Sequence, residues 1–102
     1  MSTRRRLPNR RASETFGLEC AGLNYMATIS RFPDGRIAEI FLSNTKPSSQ
    51  SDVNARDSAV AASLALQHGC PPETLRRALL RDPQGNASSV LGVALDLEGG
   101  AR

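Results

Sequence analysis

The chain has 102 residues, a net charge of +3 and 39% hydrophobic residues, which is the size and composition of one small globular domain. No apolar run approaches the roughly 18 residues that span a bilayer, and no apolar stretch follows the basic N-terminus as in a secretory signal. We therefore expect a cytoplasmic protein without membrane contacts. The two cysteines, Cys20 and Cys70, lie far apart and are predicted to be free thiols.

The basic charge is concentrated near the N-terminus. Residues 4–11 hold five of the 13 basic side chains, and all 10 acidic side chains follow them. The remainder of the chain, with 8 basic residues against 10 acidic ones, is slightly acidic. We predict that residues 1–13 form a flexible basic arm, because they contain little that could be buried, that residues 14–98 form one domain and that residues 99–102 form a tail.

Alternation of apolar and polar residues predicts three strands, at about residues 15–20, 23–32 and 36–43. The residues between them, at 21–22 and 33–35, are typical turn residues, including Pro-Asp-Gly in the second turn. Two short connections in succession favour an antiparallel meander. The third strand has apolar residues on both faces, which is typical of a well-covered strand.

A polar loop leads to a long helix that is predicted to begin at Ser51 or Asp52, both good N-cap residues, and to end at Gly69. Its apolar residues form two stripes, so we predict that it is packed on two sides. The first stripe is Val53, Val60 and Leu64, and the second is Ala55, Ala59, Ala62 and Leu66.

The C-terminal third begins with Pro71-Pro72-Glu73, which favours the start of a second helix. Ser88 or Ser89 can cap a last short helix, although Gly92 also leaves a strand open there. The predicted fold class is therefore α+β, with a three-stranded antiparallel meander packed against two helices, plus a short C-terminal helix or strand.

Two segments resemble a known family. Residues 34–42, Asp-Gly-Arg-Ile-Ala-Glu-Ile-Phe-Leu, form a turn and a strand, and residues 59–69, Ala-Val-Ala-Ala-Ser-Leu-Ala-Leu-Gln-His-Gly, end the long helix. In this order and spacing they resemble a segment from the C-terminal part of the cobalamin-dependent ribonucleotide reductases, and also the stand-alone TSCPD-type domain. The resemblance covers residues 4–97 and is strongest over residues 34–69.

The resemblance implies kinship with an enzyme but carries only part of it. The family's reaction requires a radical cysteine, a redox pair of cysteines and a radical-generating cofactor on a large barrel, and 102 residues are expected to be too few to contain that barrel. Cys20 and Cys70 do not match that arrangement, and Pro72 stands where the TSCPD pattern needs an acidic residue. We therefore expect no catalytic residue, no cofactor and no bound metal.

Candidate binding residues for phosphate or nucleotide come from two places. The arm contributes Arg4, Arg5, Arg6, Arg10 and Arg11, and the third strand and its turn contribute Arg36 and Glu39. Clustered guanidinium groups bind phosphates, but the arm has no aromatic residue that could stack on bases. A solvated terminus is the alternative interpretation of the arm, and a paired charge is the alternative for Glu39. The single histidine, His68, is expected to end the long helix and not to act as a catalytic base.

Three functional hypotheses follow. The first is an accessory domain related to ribonucleotide reductase that binds a nucleotide, nucleic acid or a reductase subunit without performing the radical chemistry. The second is nonspecific nucleic-acid binding through the arginine arm. The third is a structural domain that associates with itself, because a three-stranded sheet leaves edges and a face to cover.

Overall fold

The computed structural model describes residues 3–7, 12–47 and 49–99. Three strands form an antiparallel sheet, and three helices follow them along the chain. The elements are β1 (Ser13–Cys20), β2 (Leu23–Arg31), β3 (Ile37–Asn44), α1 (Gln50–Gln67), α2 (Pro72–Ala78) and α3 (Val90–Glu98). The strand order is β1-β2-β3. The predicted α+β class and meander are confirmed, and the C-terminal element that the sequence left open is a helix.

Local turn chemistry sets the meander. The β1–β2 connection is a two-residue turn in which Ala21 and Gly22 both have positive φ, 53° and 80°, as a hairpin that follows the twist of its strands requires. The β2–β3 connection turns at Gly35, with φ of 91°, and is fixed by the carboxylate of Asp34, which accepts a hydrogen bond from the Arg36 N–H at 3.0 Å. Both turns are short, so adjacent strands must run antiparallel.

The hydrophobic core lies on one face of the sheet. Side chains at alternate positions of the strands meet the alanine stripe of α1 and the inner face of α3. The buried core residues are Leu18, Tyr25, Ala27, Ile29, Ile37, Ile40, Leu42, Ala55, Ala59, Ala62, Leu66, Leu91, Ala94 and Leu95. Burial of this aliphatic surface is the main stabilising contribution to the fold. In the described part of the chain, no helix combines the length and apolar character that a bilayer span needs.

Helix α1 covers the outer edge of β3 with polar side chains. The Ser63 hydroxyl accepts a hydrogen bond from the Ile40 N–H at 2.9 Å and donates one to the Ile40 carbonyl at 3.1 Å. The Gln67 amide donates to the Ala38 carbonyl at 3.0 Å. Both polar side chains are buried, and their bonds satisfy backbone groups that β3 turns away from β2.

The predicted N-cap of α1 is wrong, because the residue that caps the helix is Ser49 and not Ser51 or Asp52. The Ser49 hydroxyl accepts the Asp52 N–H at 3.3 Å. The Asp52 side chain is buried and has a different role: it accepts the Asn44 N–H of β3 at 2.9 Å and the Nε–H of Arg56 at 2.8 Å. Aspartate suits both positions, so propensity alone could not separate the cap from the inward-facing carboxylate.

Helices α2 and α3 are joined by Asp96, which is held between two guanidinium groups. Arg76 Nε donates to the carboxylate at 2.9 Å, and Arg81 donates through both terminal nitrogens at 2.7 and 2.8 Å. The hydrogen bond from Arg81, followed by that from Arg76, outweighs desolvation and lowers the pKa of Asp96 from its ordinary value. Asp96 therefore remains charged at neutral pH and fixes α3 against α2.

Gly92 makes α3 possible at this position. A Cβ atom on Gly92 would lie 2.9 Å from the Cβ of Ala87, closer than packed carbon atoms approach. Glycine has a low helix propensity, so the sequence alone did not decide between a helix and a strand here. The close approach of α3 to the preceding loop explains the residue.

Candidate functional site

The second face of the sheet is open and partly apolar. Met26 of β2 and Phe41 of β3 point away from the core, and Phe41 is 52% exposed. In the register of the sheet Thr28 lies opposite Phe41, and Met26 lies opposite Ser43. Large apolar side chains on a sheet face that no described element covers are candidates for contacts with another molecule.

The first apolar stripe of α1 continues this surface. Val60 is 56% exposed, and Val53 and Leu64 are also exposed. The prediction that α1 is packed on two sides is therefore wrong for the described part of the chain, where only the alanine stripe is buried against the sheet. A stripe with helical spacing shows which residues share a face, but it does not show whether the same chain covers them.

A groove of about 320 Å³ runs between the sheet and α1. Met26 and Phe41 line its sheet side, and Arg56 and Val60 line its helix side. A smaller cavity of about 130 Å³ adjoins it and shares Phe41 and Val60 with the groove, with Leu64 at its edge. We define the open face as Met26, Phe41, Val60 and Leu64, which together border both cavities.

Arg4 and Glu39, which were predicted as binding residues, border the smaller cavity next to the open face. The Nε–H of Arg4 donates to the Gln67 side-chain oxygen at 2.5 Å, which places the guanidinium at the C-terminal end of α1. Glu39 lies on the open side of β3, half-buried and opposite Ser30. Folding thus brings together a cation and an anion that are 35 positions apart in the sequence.

Arg5 and Arg36 lie around the β2–β3 turn. The Arg5 guanidinium donates to Asp34 at 3.1 Å and lies 4.0 Å from the centre of the Phe32 ring, as in a cation–π contact. Its backbone N–H donates to the Gln67 carbonyl at 2.7 Å. The backbone N–H of Arg36 and the guanidinium of Arg5 together lower the pKa of Asp34. Arg5 is therefore engaged by the domain itself.

The remaining predicted binding residues are Arg6, which is exposed, and Arg10 and Arg11, which lie outside the described residues. Of the other predicted arginines, Arg4 lies at the small cavity, and Arg5 and Arg36 lie at the β2–β3 turn. Within residues 3–7, 12–47 and 49–99, the guanidinium groups of Arg4 and Arg5 donate to different partners, Gln67 and Asp34.

The two cysteines and the single histidine have defined positions in the fold. Both cysteines are free, and His68 is the C-cap residue of α1. No three His, Cys, Asp or Glu side chains come together as metal ligands where the structure is described. Sequence reasoning expected a sheet face to cover but did not identify its residues, although their signal was present: Val60 and Leu64 share a helix stripe, and Met26 and Phe41 alternate with core residues.

Fold and surface together define a small α+β domain with an open apolar face beside a groove. The chain is similar to a segment of the vitamin B12-dependent ribonucleotide reductase of Agrobacterium fabrum (strain C58), with 37% identity over 70 residues. This stretch is 69% of the present chain and 6% of the reductase, so the chain matches only a small part of that protein. The predicted resemblance to a segment of such a reductase is confirmed. No family model matches the chain, and no solved structure does.

Proposed function

We propose that the chain is an accessory domain related to vitamin B12-dependent ribonucleotide reductase, and that it binds a protein partner through its open face. The single observation that carries this proposal is the exposed apolar surface of Met26, Phe41, Val60 and Leu64 around the groove. Half-buried side chains of this size each contribute on the order of 1 kcal/mol when a partner covers the rest of their surface. Four adjacent side chains can therefore form the centre of an interface.

A reductase chain is the partner that we propose. The matched segment is 6% of the relative, so the greater part of that protein lies outside the similarity and could supply a complementary surface. The accessory domain would contribute contacts and no radical chemistry. With this partnership we also propose a cytoplasmic location.

The same geometry favours a protein partner over a nucleotide. The groove is lined mainly by carbon, and Arg56 at its side is paired with Asp52. Arg4 and Arg5 direct their guanidinium groups to Gln67 and Asp34. Phosphate binding requires several donors that converge on one point, whereas apolar grooves accept side chains.

The test is a binding titration in which biolayer interferometry measures the binding of the purified chain to the immobilised reductase of Agrobacterium fabrum. Val60→Asp puts a charge into the centre of the open face and is expected to weaken binding by about tenfold or more, because a charge buried without a partner is unfavourable. Ala61→Asp is the matched control. It introduces the same charged residue at the next position of α1, and Ala61 is exposed and lies outside both cavities. It is expected to leave binding within about twofold of the wild type.

Two outcomes would contradict the proposal. One is a wild-type chain that does not bind the reductase at all, and the other is an equal loss of binding in both variants. A parallel NMR titration with ribonucleoside diphosphates distinguishes the nucleotide hypothesis. Shifts that cluster at Arg4, Arg36 and Glu39 would favour a nucleotide site, and shifts confined to the arm would favour nonspecific phosphate binding.

A further inference from the structure

The two edges of the sheet differ in what covers them. The outer edge of β3 is covered by α1, whose Ser63 and Gln67 side chains bond to its backbone. Strand β1 pairs with β2 alone, so in the described part of the chain its outer edge has no strand beside it. Along such an edge, alternate residues direct their backbone N–H and C=O groups away from the sheet, where another strand can bind them.

The register shows which groups of β1 point outward. Ile40 directs its N–H and C=O away from β2, toward Ser63, and Ile40 pairs with Ile29. In an antiparallel sheet the backbone groups of successive residues alternate in direction, so Ile29 points toward β1 and meets Glu14 there. The backbone direction alternates in the same way along the following residues of β1. Among these, the N–H and C=O groups of Thr15, Gly17 and Glu19 point to the outer edge, and all three residues are exposed.

The edge of β1 lacks the usual protection against pairing. Its sequence, Ser-Glu-Thr-Phe-Gly-Leu-Glu-Cys, has no proline and no lysine, and the irregularity in the sheet lies between β2 and β3 at Ser30 and Arg31. One of its two acidic residues, Glu14, accepts a hydrogen bond from Arg31 at 3.2 Å and is thereby neutralised. The edge is therefore long, regular and only weakly charged.

We propose that a second copy of this chain pairs with β1 in antiparallel orientation, about a two-fold axis at Gly17, so that the two sheets become one continuous sheet of six strands. In this register Gly17 faces Gly17 of the second copy, and Thr15 faces its Glu19. Each of these outward-facing pairs exchanges two backbone hydrogen bonds. On the core side of the sheet, Phe16 faces Leu18 of the second copy.

Self-complementarity favours a second copy over a foreign strand. The two-fold register opposes the Thr15 hydroxyl, a hydrogen-bond donor, to the Glu19 carboxylate, and the apolar side chain of Phe16 to that of Leu18. A shift by four residues in one direction would place Glu19 opposite Glu19, and a shift by six in the other would place Glu14 opposite Glu14, so like charges disfavour those alternatives. An isologous contact of this kind closes after two copies.

Gly17 also allows the open faces of the two copies to join. A Cβ atom at Gly17 would lie 3.8 Å from the Met26 sulfur, so the Met26 side chain extends over the glycine toward the axis. Three interstrand spacings separate the two Met26 residues, about 14 Å between their Cα atoms, and both side chains extend into that gap. Pairing through β1 thus extends the apolar surface across the axis and leaves the groove beside α1 free.

Sedimentation velocity of the full chain, from low micromolar to near-millimolar concentration, tests the inference. We expect a reversible dimer with a dissociation constant in the micromolar range, as for a small interface. Thr15→Glu places a carboxylate opposite Glu19 of the second copy, twice per dimer, and is expected to weaken association about tenfold. The double variant with Thr15→Glu and Glu19→Lys exchanges the pair for one of opposite charge and is expected to restore the wild-type constant within about threefold.

The matched control is Gln84→Glu, which adds the same charge at an exposed position in the loop before α3 and is expected to leave association unchanged. A wild-type chain that stays monomeric at every concentration refutes the inference and leaves the edge to a foreign strand. A dimer that is insensitive to Thr15→Glu, or that the second substitution fails to restore, also refutes it. The proposed reductase binding is measured separately, so failure of one proposal is distinguishable from failure of the other.

Discussion

The buried hydroxyl of Ser63 is the most direct probe of how α1 holds the edge of β3. Ser63→Ala removes the hydrogen bonds at 2.9 and 3.1 Å to the N–H and C=O of Ile40 and supplies nothing in their place. Ile40 is 1% exposed, so water cannot readily replace the lost hydroxyl. A buried group left unsatisfied destabilises the fold by about 1–3 kcal/mol, and the higher helix propensity of alanine offsets about 0.5 kcal/mol.

We therefore expect Ser63→Ala to lower the free energy of unfolding by about 1–2 kcal/mol. Ser58→Ala is the matched control in the same helix, because the Ser58 hydroxyl donates only to the Ala55 carbonyl of its own helix, at 2.9 Å. That variant should remain within about 0.5 kcal/mol of the wild type or gain slightly from propensity.

Urea unfolding followed by far-UV circular dichroism is the appropriate assay, since the chain has no tryptophan. Ser63→Ala should lower the urea concentration at the midpoint of unfolding. The slope of the free energy of unfolding against urea concentration should not change, which indicates lost stability within the same folded state. If its free energy of unfolding lies within about 0.5 kcal/mol of that of Ser58→Ala, the side-chain bonds do not hold the edge and the reasoning is wrong.

Two further predictions concern α3. The lowered pKa of Asp96 means that its charged form stabilises the fold above the ordinary aspartate value near 4, and that this contribution is lost as the pH falls through the lowered value. Asp96→Asn weakens the contacts with Arg76 and Arg81 and should lower the free energy of unfolding by about 1–2 kcal/mol at pH 7. Below about pH 4 the variant should lose less further stability than the wild type. An equal loss of stability in both proteins on acidification, measured by thermal unfolding, would contradict this. Gly92→Ala should lower the melting temperature despite a propensity gain of about 1 kcal/mol, because the added methyl meets Ala87; a raised melting temperature would show that the loop gives way.

The parts of the fold that depend on local chemistry were predictable. Alternation within each strand and the turn around Asp34 and Gly35 act over a few residues, so they define the meander without knowledge of the rest of the chain. Gly69, with φ of 99°, follows α1 as expected for a residue that terminates a helix. The class of the last element was not predictable, because Gly92 is explained by its approach to Ala87 and not by its own propensity.

The candidate site was predictable only in part, because it depends on contacts between distant segments. The sequence identified Arg4 and Glu39 individually, but only the folded chain places both beside one cavity. It also identified the stripe that contains Val60, yet a stripe alone cannot distinguish an internal contact from an external one. The capture of Arg5 by Asp34 and Phe32 depends on tertiary structure in the same way.

The covered edge of β3 limits how far this protein can assemble. A filament built by strand addition needs two available edges on every subunit, so that each new copy offers a site for the next. Here α1 blocks one of them along the described part of β3, and a single strand addition at β1 uses the other. Edge pairing therefore ends with two chains. Because the pair offers no further available sheet edge among its described residues, the fold disfavours amyloid-like growth from the native state.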